Sequence, residues 1–423
     1  MENNTGNITS NLKEGKVEDE FRVKQVNRTF LATVLVSVLA SAAILLICYG
    51  VGKILNATGL YSGNLAVKVA NILDNNFTIN LLLSQVLLFT PAGIFIACNR
   101  AYFFKNLRIR RLKPKTYLML AIFGVVFIPI ISFVNSISLL FTENVIASEM
   151  TSMFDNTSLI ECVIVVALIP CILEETVYRG VFYNEYSRIN PRKAVLLSAL
   201  LFGLLHMNFN QFLYAAFGGV VFALIVEGTG SITASMMMHF LLNASSTIVS
   251  YIGTKSASIE EAQQVVQDAP QEGMEMFSGA LSFMNNLPIM VQMVISLGIL
   301  AIIAGMIEVV LFKKIVKTEG RQEYIRQLFG IKSKEKKQGR QISQDEITRR
   351  YEMERFGQSD IKEKYSDNQD SIIENEPEGS DFADDMSGDD SIPKQKVPII
   401  TPSLIVAMVI CLAVMMLRQF GVL

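Results

Sequence analysis

Long apolar runs separated by short polar stretches repeat along the whole chain. Several of these runs exceed about 18 residues, the length that crosses the hydrocarbon core of a bilayer. The runs predict nine membrane-spanning helices, near residues 30–51, 77–98, 117–141, 159–186, 194–207, 212–226, 232–252, 287–312 and 399–417. Hydrophobic residues make up 51% of the 423 positions, which agrees with this class. The pattern therefore predicts an all-α, polytopic membrane protein.

The loops between the predicted spans differ in charge, although the net charge of the chain is only −2. With nine spans, four loops lie on the same side as the N-terminal tail: 99–116, 187–193, 228–231 and 313–398. Three of these four are rich in Lys and Arg, and the loops on the other side are poor in both: 53–76, 142–158, 208–211 and 253–286. The positive-inside rule places the tail and the 313–398 insert in the cytoplasm. Residues 367–390 of the insert are acidic and poor in apolar residues, so we expect them to be disordered.

Ionisable side chains interrupt the fourth apolar run. Glu174 and Glu175 follow residues 159–173 of this run, and Arg179 comes four residues after Glu175. Each such residue costs on the order of 2.5–3.5 kcal/mol at a bilayer centre. Glu175 and Arg179 are four positions apart, so they share a helix face and can form an ion pair. Glu174 points about 100° away from Glu175, which leaves it free to face a different partner. Because ionisable residues inside a membrane usually face a cavity or a partner, this cluster is a candidate functional site.

The two histidines of the chain lie in neighbouring spans. His206 ends the fifth span, and His239 shares one helix face of the seventh span with Asn243. The helical rise places Glu174 and His206 roughly 20 Å from the cytoplasmic ends of their spans, and His239 roughly 14 Å from the end of its own. We therefore expect polar side chains from three helices to meet in one buried layer.

Two kinds of hydrolytic chemistry fit these side-chain types. In the first, desolvation raises the proton affinity of a buried carboxylate, which then deprotonates water beside an imidazole. The imidazole of His239 and the amide of Asn243, one helical turn apart, would bind the oxyanion of a tetrahedral intermediate. In the second, Glu174, His206 and His239 are ligands of a catalytic Zn²⁺ with an open position for water. Their order along the chain differs from the compact His-Glu-x-x-His form, and both mechanisms stay open.

Three motifs in this region resemble those of one protease family: Glu174-Glu175-x-x-x-Arg179, Phe202-x-x-x-His206 and His239-x-x-x-Asn243. Over roughly residues 159–250 the chain is similar to the CPBP family, which includes the CAAX proteases and the bacteriocin-processing (Abi) proteins. The resemblance implies an intramembrane endopeptidase with a CAAX-protease-like helical core. Members of this family have been called metalloproteases.

The resemblance also implies a role for each matching residue. Glu174 would activate water together with His206, and His239 with Asn243 would stabilise the oxyanion. Glu175 and Arg179 would hold the shape of the site, and Phe202 is expected to be a packing residue that supports it. The implied partners are a peptide or protein substrate, either lipidated or embedded in the membrane, and the lipid bilayer; no nucleic acid is expected.

These interpretations divide the chain into seven parts: a tail (1–28), N-terminal spans (29–158), the protease-like core (159–252), an extracytoplasmic loop (253–286), a span (287–312), the hydrophilic insert (313–398) and a last span (399–423). Nothing in the resemblance accounts for the insert or the last span.

Other functions remain open at this stage. A proton-coupled transporter also buries glutamate and histidine side chains in the membrane, although no inverted repeat is visible in this sequence. A non-catalytic immunity protein could bind a peptide in the same polar cavity. Taken alone, the Glu175–Arg179 pair would be structural, and the His239–Asn243 pair could be a contact between helices. The joint occurrence of three motifs is what favours hydrolysis.

Overall fold

The computed structural model describes residues 2–142, 150, 153–154, 157–255, 288–329 and 397–422. Every regular element within these ranges is a helix. This confirms the predicted all-α class. The acidic stretch 367–390 and most of the loop 253–286 lie outside the described ranges, so the disorder expected for that stretch stays a prediction.

The chain forms helices of two kinds, α and π, which are numbered here in chain order. They are α1 (Glu2–Ala57), α2 (Leu65–Asn75), α3 (Phe77–Cys98), α4 (Arg100–Asn106), α5 (Pro114–Ser138), α6 (Leu159–Cys162), π1 (Val163–Leu168), α7 (Ile169–Glu175), π2 (Thr176–Tyr183), α8 (Asn184–Ile189), α9 (Pro191–Leu205), α10 (Phe209–Thr229), α11 (Ile232–Lys255), α12 (Ile289–Thr318), α13 (Gln322–Leu328) and α14 (Pro402–Gln419).

The helices fall into two compact units. One comprises Phe21–Arg321 with Ile400–Leu423, and the other comprises Met1–Glu20 with Gln322–Ile399. The second unit contains α13 and the first residues of α1. All the side chains that the sequence singles out belong to the first unit.

Six helices in the described part of the chain are long and apolar enough to cross a membrane: α3, α5, α10, α11, α12 and α14. The two halves of α1, Val17–Ala40 and Ala42–Ala57, meet at 50° and make a seventh if they count as one span. The protein is therefore a multi-pass membrane protein, but the predicted count of nine is not confirmed. The predicted fifth span is the 15-residue α9, shorter than the roughly 20 residues a span needs, and the predicted fourth is divided into α and π segments.

The segments α6 to α8 follow one another without a break and are called here the glutamate helix. Ser158 starts it with a capping box, in which its side chain accepts from the Glu161 N–H and the Glu161 side chain accepts from the Ser158 N–H. At the end of π1 the Ile169 N–H bonds to the Ile164 carbonyl, five residues back. Single π turns inside α-helices occur frequently at functional sites. Here two π segments enclose α7, which carries both glutamates.

Helices α9 and α10 form a hairpin, and His206 is the C-terminal cap residue of α9. The two helices approach closely at Gly203, where an added Cβ would lie 2.8 Å from both the Ala216 Cβ and the Phe212 carbonyl oxygen. A larger residue at Gly203 would push the helices apart. The next helix, α11, packs against π1 and α7 of the glutamate helix and against α5. These contacts bring the three predicted motifs to one place in the bundle.

The last helix, α14, packs on α9 and is tied to the rest of its unit near both ends. Near its start, Asn27 Nδ2 donates to Thr401 Oγ1 at 2.9 Å, and the Tyr186 hydroxyl donates to Asn27 Oδ1 at 2.5 Å. Near its end, Arg418 Nη1 donates to the Met207 carbonyl at 3.4 Å. The last span is thus built into the core, which the sequence did not lead us to expect.

Candidate active site

A buried ion pair lies at the centre of the site. Arg179 Nη1 donates to Glu175 Oε1 at 2.9 Å, and Arg179 Nη2 donates to the Gly219 carbonyl of α10 at 3.0 Å. Glu175 is 0% exposed and Arg179 1% exposed. The structure therefore forms the predicted pair. One guanidinium joins the glutamate helix to α10.

Two aromatic rings flank the Arg179 guanidinium. Its central carbon lies 5.0 Å from the centroid of the Phe202 ring and 5.3 Å from that of Phe222. A cation over an aromatic face is attracted by the ring quadrupole, more strongly when water is excluded. Phe202 was expected to be a packing residue, and it does pack here. Phe222 was not singled out, because one phenylalanine in an apolar helix gives no signal of its role.

The Glu175 carboxylate also orients His239. Glu175 Oε1 lies 3.2 Å from His239 Nδ1. The ring stacks on Phe222, with centroids 5.1 Å apart and planes 24° apart. Since a carboxylate can only accept, Nδ1 carries the proton in this contact. In the neutral ring, Nε2 then holds a lone pair and is turned toward Glu174.

Glu174 lies on the other side of that imidazole. Its Oε2 atom is 3.7 Å from His239 Nε2, and its side chain is 17% exposed, against 0% for Glu175. The distance is too long for a direct hydrogen bond but short enough for an ion pair if the ring becomes protonated. The structure therefore brings Glu174 within reach of one imidazole.

His206 is held separately. Its Nδ1 atom lies 2.8 Å from the Phe202 carbonyl, so Nδ1 donates to that oxygen and Nε2 is again left with a lone pair. Met207, the next residue, has a left-handed backbone with φ of +49°. In the described part of the chain no hydrogen bond or ion pair joins His206 to Glu174. The described structure thus shows no direct bond between the two side chains expected to share a water.

Asn243 completes the layer from one turn further along α11. Its Nδ2 atom lies 3.2 Å from His239 Nε2 and 3.4 Å from the Val166 carbonyl in π1. The expected His239–Asn243 pair therefore forms. The contact with Val166 could not be expected from the sequence, because it depends on the π turn and on the rotation of that helix.

The sequence of this region can be compared with those of known protein families. Residues 156–245 match the family model of the type II CAAX prenyl endopeptidases, Rce1-like. This confirms the family resemblance for that part of the chain. The Rce1-like segment covers about a fifth of the sequence and contains all seven predicted site residues. No curated protein and no solved structure matches the chain. The match implies a membrane protease that acts on a peptide or protein.

The arrangement of Glu174, His206 and His239 is less favourable for zinc binding than the sequence led us to expect. The donor types suit zinc, and each histidine donates Nδ1–H to an oxygen, as metal-binding histidines usually do. However, the described residues contain no group of three His, Cys, Asp or Glu side chains close enough to hold one metal ion. Glu174, His206 and His239 do not fit a common metal ion in this arrangement, so no step below is routed through one.

Proposed function

We propose that this protein is an intramembrane endopeptidase in which Glu174 activates the hydrolytic water. The observation that carries the proposal is the position of the Glu174 carboxylate, 3.7 Å from His239 Nε2 in a layer largely closed to solvent. A general base must lie within hydrogen-bond reach of the proton it abstracts, and a neighbouring polar group can hold the water in that position. Glu174 is the more exposed of the two glutamates. The neighbouring group is the Nε2 lone pair of His239, whose ring is held at Nδ1 by Glu175.

The first step is the attack of water on the carbonyl carbon of the scissile bond. Glu174 takes a proton from the water as the new C–O bond forms, and the carbonyl π electrons move onto the oxygen. Asn243 turns its amide from His239 Nε2 and the Val166 carbonyl toward the developing oxyanion. The neutral His239 ring, held by Glu175, then accepts a hydrogen bond from the water at Nε2 and positions it. His206 presents its own Nε2 lone pair from α9 and would approach the same water when substrate binds.

The second step breaks the peptide bond. Glu174 returns its proton to the departing amine nitrogen as the C–N bond breaks, and the electron pair on the oxyanion re-forms the carbonyl. The hydrogen bond from Asn243 to the oxyanion is released as the carbonyl re-forms. The reaction consumes one water and releases a carboxylate and an amine. No external oxidant, reductant or metal enters the balance.

The substrate class follows from the family match. We infer a peptide or protein that reaches the site from the bilayer, with a prenylated cysteine near its C-terminus as the specific form. A prenyl chain partitions into lipid, at about 0.8 kcal/mol per buried CH₂. It would therefore deliver the scissile bond to membrane depth. Comparing a quenched fluorogenic peptide with and without the prenyl group would test this part.

The decisive test of the base is the pair of substitutions Glu174→Gln and Glu161→Gln in purified full-length protein in detergent. Both make the same chemical change in the glutamate helix, but Glu161 lies in the exposed capping box. We expect Glu174→Gln to abolish cleavage of the fluorogenic peptide while the thermal unfolding temperature is kept, and Glu161→Gln to stay active. Full activity of Glu174→Gln would refute the mechanism. Absence of cleavage by the wild-type protein would instead favour a non-catalytic peptide-binding protein.

A metal-free mechanism makes a separate prediction. Activity should survive exhaustive treatment with EDTA and 1,10-phenanthroline, and metal analysis of the active protein should find less than one equivalent. Loss of activity on chelation, restored by added Zn²⁺, would show that the ligand set closes around a metal in the working enzyme.

A further inference from the structure

Tyr178 is a fully buried residue whose hydroxyl has no hydrogen-bond partner among the described residues. The residue is 1% exposed. Two other buried tyrosines of the glutamate helix are satisfied: Tyr183 donates to Glu227 Oε1 at 2.6 Å and Tyr186 to Asn27 Oδ1 at 2.5 Å. Buried hydroxyls are nearly always bonded in native proteins, so an exception calls for a physical reason.

The position of Tyr178 on its helix suggests that reason. It follows Glu174 by four residues, the same spacing that joins Glu175 to Arg179 in an ion pair across the start of π2. Spacing of four therefore still aligns side chains in this widened part of the helix. Tyr178 consequently lies one turn along the face that carries Glu174.

The ring of Tyr178 belongs to the same layer as both histidines. It packs edge-on against Phe202, with centroids 5.0 Å apart and planes 67° apart. The Phe202 ring in turn contacts the rings of His206, at 5.1 Å, and His239, at 5.7 Å. One phenylalanine thus separates the tyrosine from both imidazoles.

The layer that contains both histidines has few hydrogen-bond donors that could bind an oxyanion without first breaking another hydrogen bond. Both imidazoles direct Nδ1–H to protein acceptors, and Nε2 of each carries a lone pair. The Asn243 amide nitrogen already lies near two acceptors. Oxyanion stabilisation depends on donors that need no rearrangement when the charge develops. The Tyr178 hydroxyl is such a donor, because it has no bond to any described residue to give up.

We propose that the Tyr178 hydroxyl is a further catalytic donor, which hydrogen-bonds the oxyanion of the tetrahedral intermediate. The inference rests on the proposed function. As water adds to the carbonyl carbon, the oxygen that receives the π electrons accepts the Tyr178 O–H. The tyrosine keeps its proton throughout, and the hydrogen bond is released when the carbonyl re-forms. The role differs from that of Glu174, which moves a proton.

The test is Tyr178→Phe, with Tyr186→Phe as the matched control. Tyr178→Phe removes a hydroxyl that has no protein partner, so the unfolding temperature should stay the same or rise. We expect kcat for the fluorogenic peptide to fall about 100-fold, as for the loss of one oxyanion donor, with KM little changed. Tyr186→Phe removes a bonded hydroxyl away from the site. It should lower the unfolding temperature and leave kcat unchanged.

The results separate this inference from the function on which it rests. If Glu174→Gln abolishes cleavage while Tyr178→Phe keeps the wild-type kcat, the donor role is refuted and the endopeptidase stands. A rise in KM with unchanged kcat would also refute it, because that result means a contact made equally with the bound substrate. If the wild-type protein shows no cleavage that depends on Glu174, the proposed function fails and this role fails with it.

Discussion

Glu174 and Glu175 are neighbours in sequence, yet their carboxylates lie in different environments. Glu175 is fully buried, and its Oε1 atom accepts from both Arg179 and His239. Glu174 keeps 17% of its side chain exposed and approaches the far side of the same imidazole. A carboxylate that serves two donors is a structural anchor, whereas a less committed carboxylate beside a lone pair is suited to proton transfer. The helical spacing predicted that the two carboxylates would face different partners, and in the structure they approach different nitrogens of the His239 ring.

The anchor can be tested by a double-substitution cycle. Arg179→Met leaves the buried Glu175 charge without its partner, so we expect a loss of about 3–5 kcal/mol in the free energy of unfolding. Adding Glu175→Gln removes that charge, so the double variant should be more stable than the single one. Thermal and denaturant unfolding in detergent would measure both values. A double variant as unstable as Arg179→Met would mean that the pair does not act as a unit.

The peptide-cleavage activity of the double variant should not recover together with its stability. In the double variant His239 loses the carboxylate that fixes its Nδ1 proton, and a glutamine side chain can accept only a weaker hydrogen bond. We therefore expect cleavage to stay low even where stability recovers. A double variant that regains wild-type kcat would show that the ring needs no anchor from Glu175.

The sequence predicted the pairs of site residues that lie within one helix, but it did not predict the contacts between helices or the π segments. Spacing alone placed Glu175 on the face of Arg179 and His239 on the face of Asn243, because both pairs lie within one helix. The Val166 and Phe222 contacts could not be predicted, since they depend on how separate helices rotate against each other. The two π segments also gave no signal, because an apolar run looks the same in an α or a π turn. The short α9 and the division of the glutamate helix into α and π segments account for the two predicted spans that the structure does not support.

At the scale of the helix, α12 carries the buried carboxylate of Glu308. Glu308 is 7% exposed, and in the described part of the chain neither of its oxygens has a hydrogen bond. Its neighbours Ile307 and Val309 are 45% and 53% exposed. We expect Glu308→Leu to raise the free energy of unfolding by about 1–3 kcal/mol, because it removes an unsatisfied buried polar group. Thermal unfolding in detergent measures this.

The same helix provides the control. Glu319, directly after α12, accepts from the Arg110 guanidinium at 2.5 Å, from the Lys113 N–H at 3.1 Å and from the Thr116 hydroxyl at 2.5 Å. Glu319→Leu should therefore lower stability, although the chemical change is the same. If Glu308→Leu also lowered stability, the carboxylate would have a partner, such as water or lipid, that holds it in place.

At the scale of the whole molecule, the last span returns to the core across more than 200 positions of sequence. The contact of Arg418 with Met207 reaches the residue after His206, and the hydroxyl of Thr401 is linked through Asn27 to Tyr186 of the glutamate helix. The end of the chain is thus joined to two of the three elements that carry the site. Covalent continuity through the insert should then be less important than these contacts.

We therefore expect the protein to survive a cut in the insert. With a specific protease site introduced between residues 367 and 390, the fragment that contains α14 should stay with the core after cleavage, because packing on α9 and both sets of hydrogen bonds remain. Co-purification through a tag on the N-terminal fragment measures retention, and peptide cleavage measures function. The double variant Thr401→Val with Arg418→Ala, which loses about 0.5–1.5 kcal/mol per removed hydrogen bond, should release more of the fragment. Complete release from the unsubstituted protein, with activity intact, would show that α14 is dispensable to the site it contacts.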